Sequence, residues 1–247
     1  EKYYTIYNAR VRMQVNKLDN NCYYYTEIID DNEADSLLNI IKINDGWNEA
    51  FVDERPYDEN KDKDLDVNQG LAKAYRKSFD EKLYPEVFNT INLILKKVCL
   101  DYLRSRNMKV KKLIDKIAVI DKHLEGQVYK THIDTIPTNE ESYTVILYLN
   151  DDYEGGEISF SFIDNPEINN GIVKSKIKGT YPPYHEKNKD LISFWVKPKK
   201  FSVVIFPPTY QHTVHEVTGS EKYLVKAFWQ TGNNMVKSDI KLNEFEK

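Results

Sequence analysis

The apolar positions of this chain change their spacing near residue 110. Before that point they recur every three or four residues, the period of a helix with one buried face. Asp30 or Asp31 is placed to cap one such helix, whose stripe runs through Ala34, Leu37, Leu38 and Ile41. A longer helix is expected after Pro85, with Val87, Ile91, Ile94, Leu95, Val98, Tyr102 and Leu103 on one side. Proline suits a first turn, and Arg104 and Arg106 suit the negative end of the helix dipole. In this front part Tyr23–Ile29 reads as a strand, and the charged stretch Asp53–Asp66 reads as an exposed loop.

From Leu113 onward the pattern becomes short runs of β-branched and aromatic residues between turn residues. The runs predict strands at Leu113–Asp121, Gln127–Asp134, Ser142–Asn150, Glu157–Phe162, Leu191–Val196, Ser202–Phe206, His212–Val217 and Lys222–Gln230. No helical pattern intervenes to make parallel crossovers, so a β-sandwich or barrel is expected. Asp164–Asp190 breaks the rhythm with prolines and glycines and reads as an insertion, with one short strand at Ile172–Ile177. The expectation is one domain spanning 1–247, with a helical support over 1–110 and a β core over 111–232.

Composition narrows the function classes. A chain of 247 residues can form one compact domain, and 40% hydrophobic with 13% aromatic residues can fill a core. Lysine and arginine number 35 against 39 acidic residues, a net charge of −4. That lacks the basic excess of a backbone-driven nucleic-acid binder, so no nucleic-acid partner is expected. Cys22 and Cys99 are too few for a disulfide framework or a cysteine-rich zinc module. No apolar run approaches the roughly 20 residues of a membrane-spanning helix, so no membrane partner is expected either. The few cysteines and the lack of a signal pattern give an intracellular, cytoplasmic expectation, although a chain starting at Glu1 does not report its own targeting.

The five histidines carry the chemistry. In His132-Ile-Asp134 an imidazole and a carboxylate two residues apart project from the same face of a strand. Such a pair is either a hydrogen-bonded surface pair or two members of a two-histidine, one-carboxylate metal triad. His212, at the mouth of another predicted strand, can supply the third ligand; its rival His215 lies on the opposite face of a regular strand. Lys222, ten residues after His212, opens the last strand on the same face as Leu224 and Phe228. It either reaches solvent or points inward, where an ammonium needs an anion. His185, beside two prolines in the insertion, reads as a loop residue.

Four blocks in order resemble the iron(II)- and 2-oxoglutarate-dependent oxygenases, in particular their prolyl 4-hydroxylase-like branch. They are Gly126-Gln-Val-Tyr-Lys-Thr-His-Ile-Asp134, Tyr143 to Phe160 with its Tyr148-Leu-Asn150 and Gly155-Gly-Glu157, Lys197-Pro198 to Phe206, and His212 to Lys222. The resemblance covers Ile117 to Gln230, about half the chain. It implies a double-stranded β-helix core of the jelly-roll or cupin kind, buttressed by helices. It implies Fe(II) held by His132, Asp134 and His212, with 2-oxoglutarate and O2 as co-substrates and ascorbate as a supporting reductant. By the same resemblance Lys222 pairs with the far carboxylate of 2-oxoglutarate and Tyr148 hydrogen-bonds it. His123 stands where related hydroxylases carry a tyrosine near the co-substrate, and Tyr129 is expected to shape a groove for a protein or peptide substrate. The implied reaction hydroxylates an unactivated C–H bond, a prolyl residue first among candidates, with succinate and CO2 as co-products. Phe228 stands where that branch usually carries tryptophan, and Ile158 where it carries threonine. Both departures bear on the substrate and not on the metal. A zinc hydrolase and a non-catalytic β-sandwich binding module are the competing readings; neither gives Lys222 a role.

Overall fold

The computed structural model of the protein describes residues 13–51, 73–108, 113–132, 134, 142–161 and 192–231. In chain order the elements are β1 (Gln14–Lys17), β2 (Tyr23–Thr26), α1 (Asp31–Ile43), β3 (Asn48–Phe51), β4 (Lys73–Ser78), α2 (Phe88–Ser105), β5 (Leu113–His123), β6 (Tyr129–His132) and β7 (Ser142–Tyr148). There follow β8 (Glu154–Gly155), β9 (Ile158–Ser161), β10 (Ile192–Val196), β11 (Ser202–Phe206), β12 (Gln211–Val214), β13 (Val217–Thr218) and β14 (Lys222–Thr231). The expected loop at Asp53–Asp66 and the 164–190 insertion, with its strand at Ile172–Ile177 and His185, lie outside the described residues.

Both helices form where the apolar spacing places them. Asp30 caps α1, its carboxylate accepting from Glu33 N at 3.0 Å. Helix α2 starts at Phe88, and Pro85 lies in the turn before it rather than in its first turn. The front of the chain is more than a helical support, because it also supplies β1 to β4 to the main sheet. Three of those strands are short and polar (QVNK, NEAF and KAYRKS), so they lack the apolar alternation that betrays a strand.

The main sheet has eight strands in the order β1-β2-β11-β7-β14-β5-β4-β3, and a four-stranded sheet runs β10-β9-β12-β6. Every pairing is antiparallel, including the small β13-β8 ribbon. Side chains alternate across the main sheet. Tyr143, Val145 and Leu147 of β7 and Tyr223, Val225, Ala227 and Trp229 of β14 pack with Leu37, Ile41, Ile91 and Val98 of the helices. Ile146, Tyr148 and Leu224 face the other way, onto Ile158, Phe160 and Phe206. The molecule is therefore layered as helices, large sheet and small sheet, with a core in each gap. Each fully buried large aliphatic or aromatic side chain contributes about 1.5–3 kcal/mol of transfer free energy. The chemistry-bearing residues sit in the second gap.

Candidate active site

The two strands that carry the histidines are neighbours. β6 pairs with β12 so that His132 and His212 are register partners, which brings the His-x-Asp segment against the second histidine. Asp134 follows just after β6, held by its backbone N–H donating to Pro208 O at 2.9 Å. The side chain of His132 lies outside the described residues, so the geometry rests on the other two.

His212 is almost fully buried, with its ring against Phe206 (4.8 Å between centroids) and Phe160 (6.1 Å). Its Nδ1 is 2.9 Å from the carbonyl of Tyr210. A carbonyl only accepts, so Nδ1 carries the proton and Nε2 carries the lone pair. Nε2 lies 3.8 Å from Asp134 Oδ2, which also accepts a 2.7 Å hydrogen bond from Thr144 Oγ1. An imidazole lone pair and a carboxylate oxygen converging in a dry pocket are a donor set suited to a borderline divalent cation. Among the described residues no group of three or more such side chains gathers. His215 does not join it, since its Nε2 is 2.8 Å from Ser159 Oγ.

Lys222 points inward and is wholly buried. Its Nζ donates to the carbonyl of Gly156 and sits 5.0 and 5.6 Å from the ring centroids of Tyr148 and Tyr153. No carboxylate of the described residues comes within ion-pair distance. Burial pushes its pKa down to about 7, with Glu157 opposing. His123 is its register partner across β5 and β14 and is likewise buried. Burial first and the Lys222 charge second pull the His123 pKa down to about 3. His123 Nδ1, Tyr148 Oη and Tyr153 Oη have no hydrogen-bond partner among the described residues. Tyr84 Oη and Trp229 Nε1 share that condition but lie in the helix-side core. A buried ammonium flanked by three orphaned polar atoms is costly unless an anion with several acceptor oxygens completes it.

Residues 118–230 match the family model of the 2OG-Fe(II) oxygenase superfamily. That segment, just under half of the chain, carries the superfamily's signature. The chain is similar in structure to a 2OG-Fe(II) oxygenase family oxidoreductase from Burkholderia pseudomallei, at 12% identity and TM-score 0.54 over 83% of this chain and 82% of that one. It is also similar to HygX from Streptomyces hygroscopicus, solved with nickel and 2-oxoglutarate, at 10% identity and TM-score 0.50 over 90% and 88%. A third likeness is to the viral collagen prolyl hydroxylase of Paramecium bursaria Chlorella virus-1, at 16% identity and TM-score 0.49 over 83% and 92%. No curated protein sequence matches the chain. At these identities the first two solved structures speak for the fold alone, and they agree with the layered β core.

The chain holds three site features that spacing alone did not single out. Tyr153 lies in the turn before β8, where a period of two assigns no face. Thr144 and Lys226 lie on the inward faces of β7 and β14, a position the alternation gives, but their shared partner Asp134 comes from another strand pair. Tyr129, singled out for a substrate groove, has its ring centroid 5.4 Å from Lys226 Nζ, so it sits over the same floor.

Proposed function

We propose that the protein hydroxylates an unactivated C–H bond at the expense of 2-oxoglutarate, and that the substrate is a prolyl residue of a protein or peptide. The observation that carries the co-substrate assignment is the buried Lys222 ammonium beside the orphaned polar atoms of Tyr148, Tyr153 and His123. Lys222 would neutralise the far carboxylate, Tyr148 would donate to it, and His123 would add a second polar contact. The donor chemistry of His212 and Asp134, with His132 opposite on the paired strand, fits Fe(II). His132, Asp134 and His212 would hold Fe(II), which with the keto acid would supply the O2 activation that yields succinate, CO2 and a hydroxylated product. The chain's own part is to fix the His212 tautomer through Tyr210, orient Asp134 through Thr144 and keep water out with Phe160 and Phe206.

The prolyl assignment is supported by the four ordered sequence blocks, and Phe228 in place of a tryptophan is the departure that tests it hardest. Tyr129 would line the substrate side, and ascorbate would support turnover. The deciding experiment supplies Fe(II), 2-oxoglutarate and a proline-containing peptide library, and follows succinate together with a one-oxygen mass gain on a peptide. His132→Ala and Asp134→Ala should each abolish succinate formation. Substantial turnover by either variant would remove that residue from the metal site, and succinate without any oxidised prolyl peptide would redirect the substrate.

A further inference from the structure

The chemistry proposed above leaves one partly buried cation, Lys226, on the site's floor unused. Lys226 lies four residues beyond Lys222 on the same face of β14, the strand between β7 and β5 in the middle of the main sheet. An ammonium in that position needs a local counter-charge. Two acids are near. Asp121 is engaged by Arg76, whose Nε and Nη2 are 2.6 and 2.8 Å from its two oxygens. Asp134 is the other, with Oδ1 3.9 Å from Lys226 Nζ. The rings of Tyr129 and Phe228, each 5.4 Å from Nζ at the centroid, enclose the ammonium.

The two oxygens of Asp134 therefore have different surroundings. Oδ2 accepts from Thr144 and faces His212 Nε2, whereas Oδ1 faces Lys226. A carboxylate can give a metal one oxygen or two, and the second would occupy a position that a chelating co-substrate or O2 requires. A fixed positive charge beside Oδ1 disfavours the two-oxygen mode, because a dication shared between both oxygens is drawn toward the ammonium. The same repulsion weakens the binding of any dication at this site.

Resting on the metal site proposed above, we propose that Lys226 is a positioning residue that holds Oδ1 of Asp134, so that Oδ2 alone is presented to the metal, and that it sets the site's dication affinity below what the ligands would otherwise give. The test needs no turnover. Mn(II) binding to the full chain is titrated by the paramagnetic resonance of free Mn(II), and the visible ligand-field spectrum of Co(II)-loaded protein reads coordination number. Lys226→Met, of similar length and uncharged, should bind Mn(II) about tenfold more tightly. It should also weaken the Co(II) absorption as the second oxygen joins, and Lys226→Arg should restore wild-type behaviour in both. An unchanged or weaker Mn(II) affinity in folded Lys226→Met, or an unchanged Co(II) spectrum, overturns the inference. If the methionine variant does not fold, Lys226→Gln carries the same comparison. Asp134→Asn separates the two levels: wild-type Mn(II) affinity in that variant would sink the metal site itself, while a failed Lys226 result alone leaves it standing.

Discussion

Lys222 is a strong base made weak by its place in the fold. Burial lowers its pKa from 10.5 to about 7 against the pull of Glu157. The unfolded chain holds this proton between about pH 7 and 10.5 and the folded chain does not, so the residue costs stability below that window and the cost is relieved as pH rises through it. A bound dicarboxylate reverses the preference and raises the pKa. Affinity for 2-oxoglutarate should then be greatest at neutral pH and below, and should fall as pH climbs above about 7. His123, held near 3, stays neutral throughout and does not blur the profile. Lys222→Ala should weaken 2-oxoglutarate binding by about 2–5 kcal/mol, roughly 30- to several-thousand-fold. Calorimetric titration across the pH range checks both, and a flat profile with unchanged affinity in the variant would move the carboxylate elsewhere. The alternation of β14 made the direction of Lys222 readable from its spacing. Tyr153 was not readable, because its burial depends on a turn folding back over the lysine.

At the level of elements, the same turn makes the sharpest prediction. Gly155 and Gly156 both take φ of +65°, and a Cβ on Gly156 would meet Tyr153 Cε2 at 2.8 Å, Val217 Cγ2 at 3.2 Å and Lys222 Cδ at 3.3 Å. Gly156→Ala should cost about 1–3 kcal/mol in a denaturant melt and loosen 2-oxoglutarate binding with it, since two of the displaced groups, Tyr153 and Lys222, belong to the proposed carboxylate pocket. A variant as stable and as tight as wild type would mean the turn yields freely. Elements with a buried stripe were legible: β11 spans Ser202–Phe206 as its apolar run predicts, and α1 begins at its acidic cap. Strands β1, β3 and β4 escaped because their fit to the sheet comes from neighbours rather than from their own composition. The predicted His212–Val217 strand is broken after Val214, where His215 leaves the ladder to meet Ser159.

For the whole molecule, the site is a contact between two sheets and so reports on the fold. A ligand that binds only the folded state raises its melting temperature by mass action. Mn(II) with 2-oxoglutarate should stabilise the protein by more than the sum of the two separate shifts, because the keto acid would reach from the proposed metal side toward Lys222 across both sheets. Additive or absent shifts in a thermal melt would argue that the two pockets are independent. The β-rich core was legible in the sequence, and the antiparallel pairing of β6 with β12 makes the two singled-out histidines, His132 and His212, register partners. Which side the helices cover, and how far the main sheet extends, were set by long-range pairings that no local pattern encodes.

The strand order has a consequence for how the protein is made. β14 is the last of the described strands to be synthesised, yet it lies between β7 and β5, contributing both Lys222 and Lys226. Until it inserts, two strand edges in the middle of the sheet stay open, the condition in which chains pair with the wrong partner. A ribosome-bound chain can thus carry His132 and Asp134 well before it owns the cations that temper them. Competence arrives in one late event, and a chain stopped a few residues short of it would be left with a divided sheet rather than a slower enzyme.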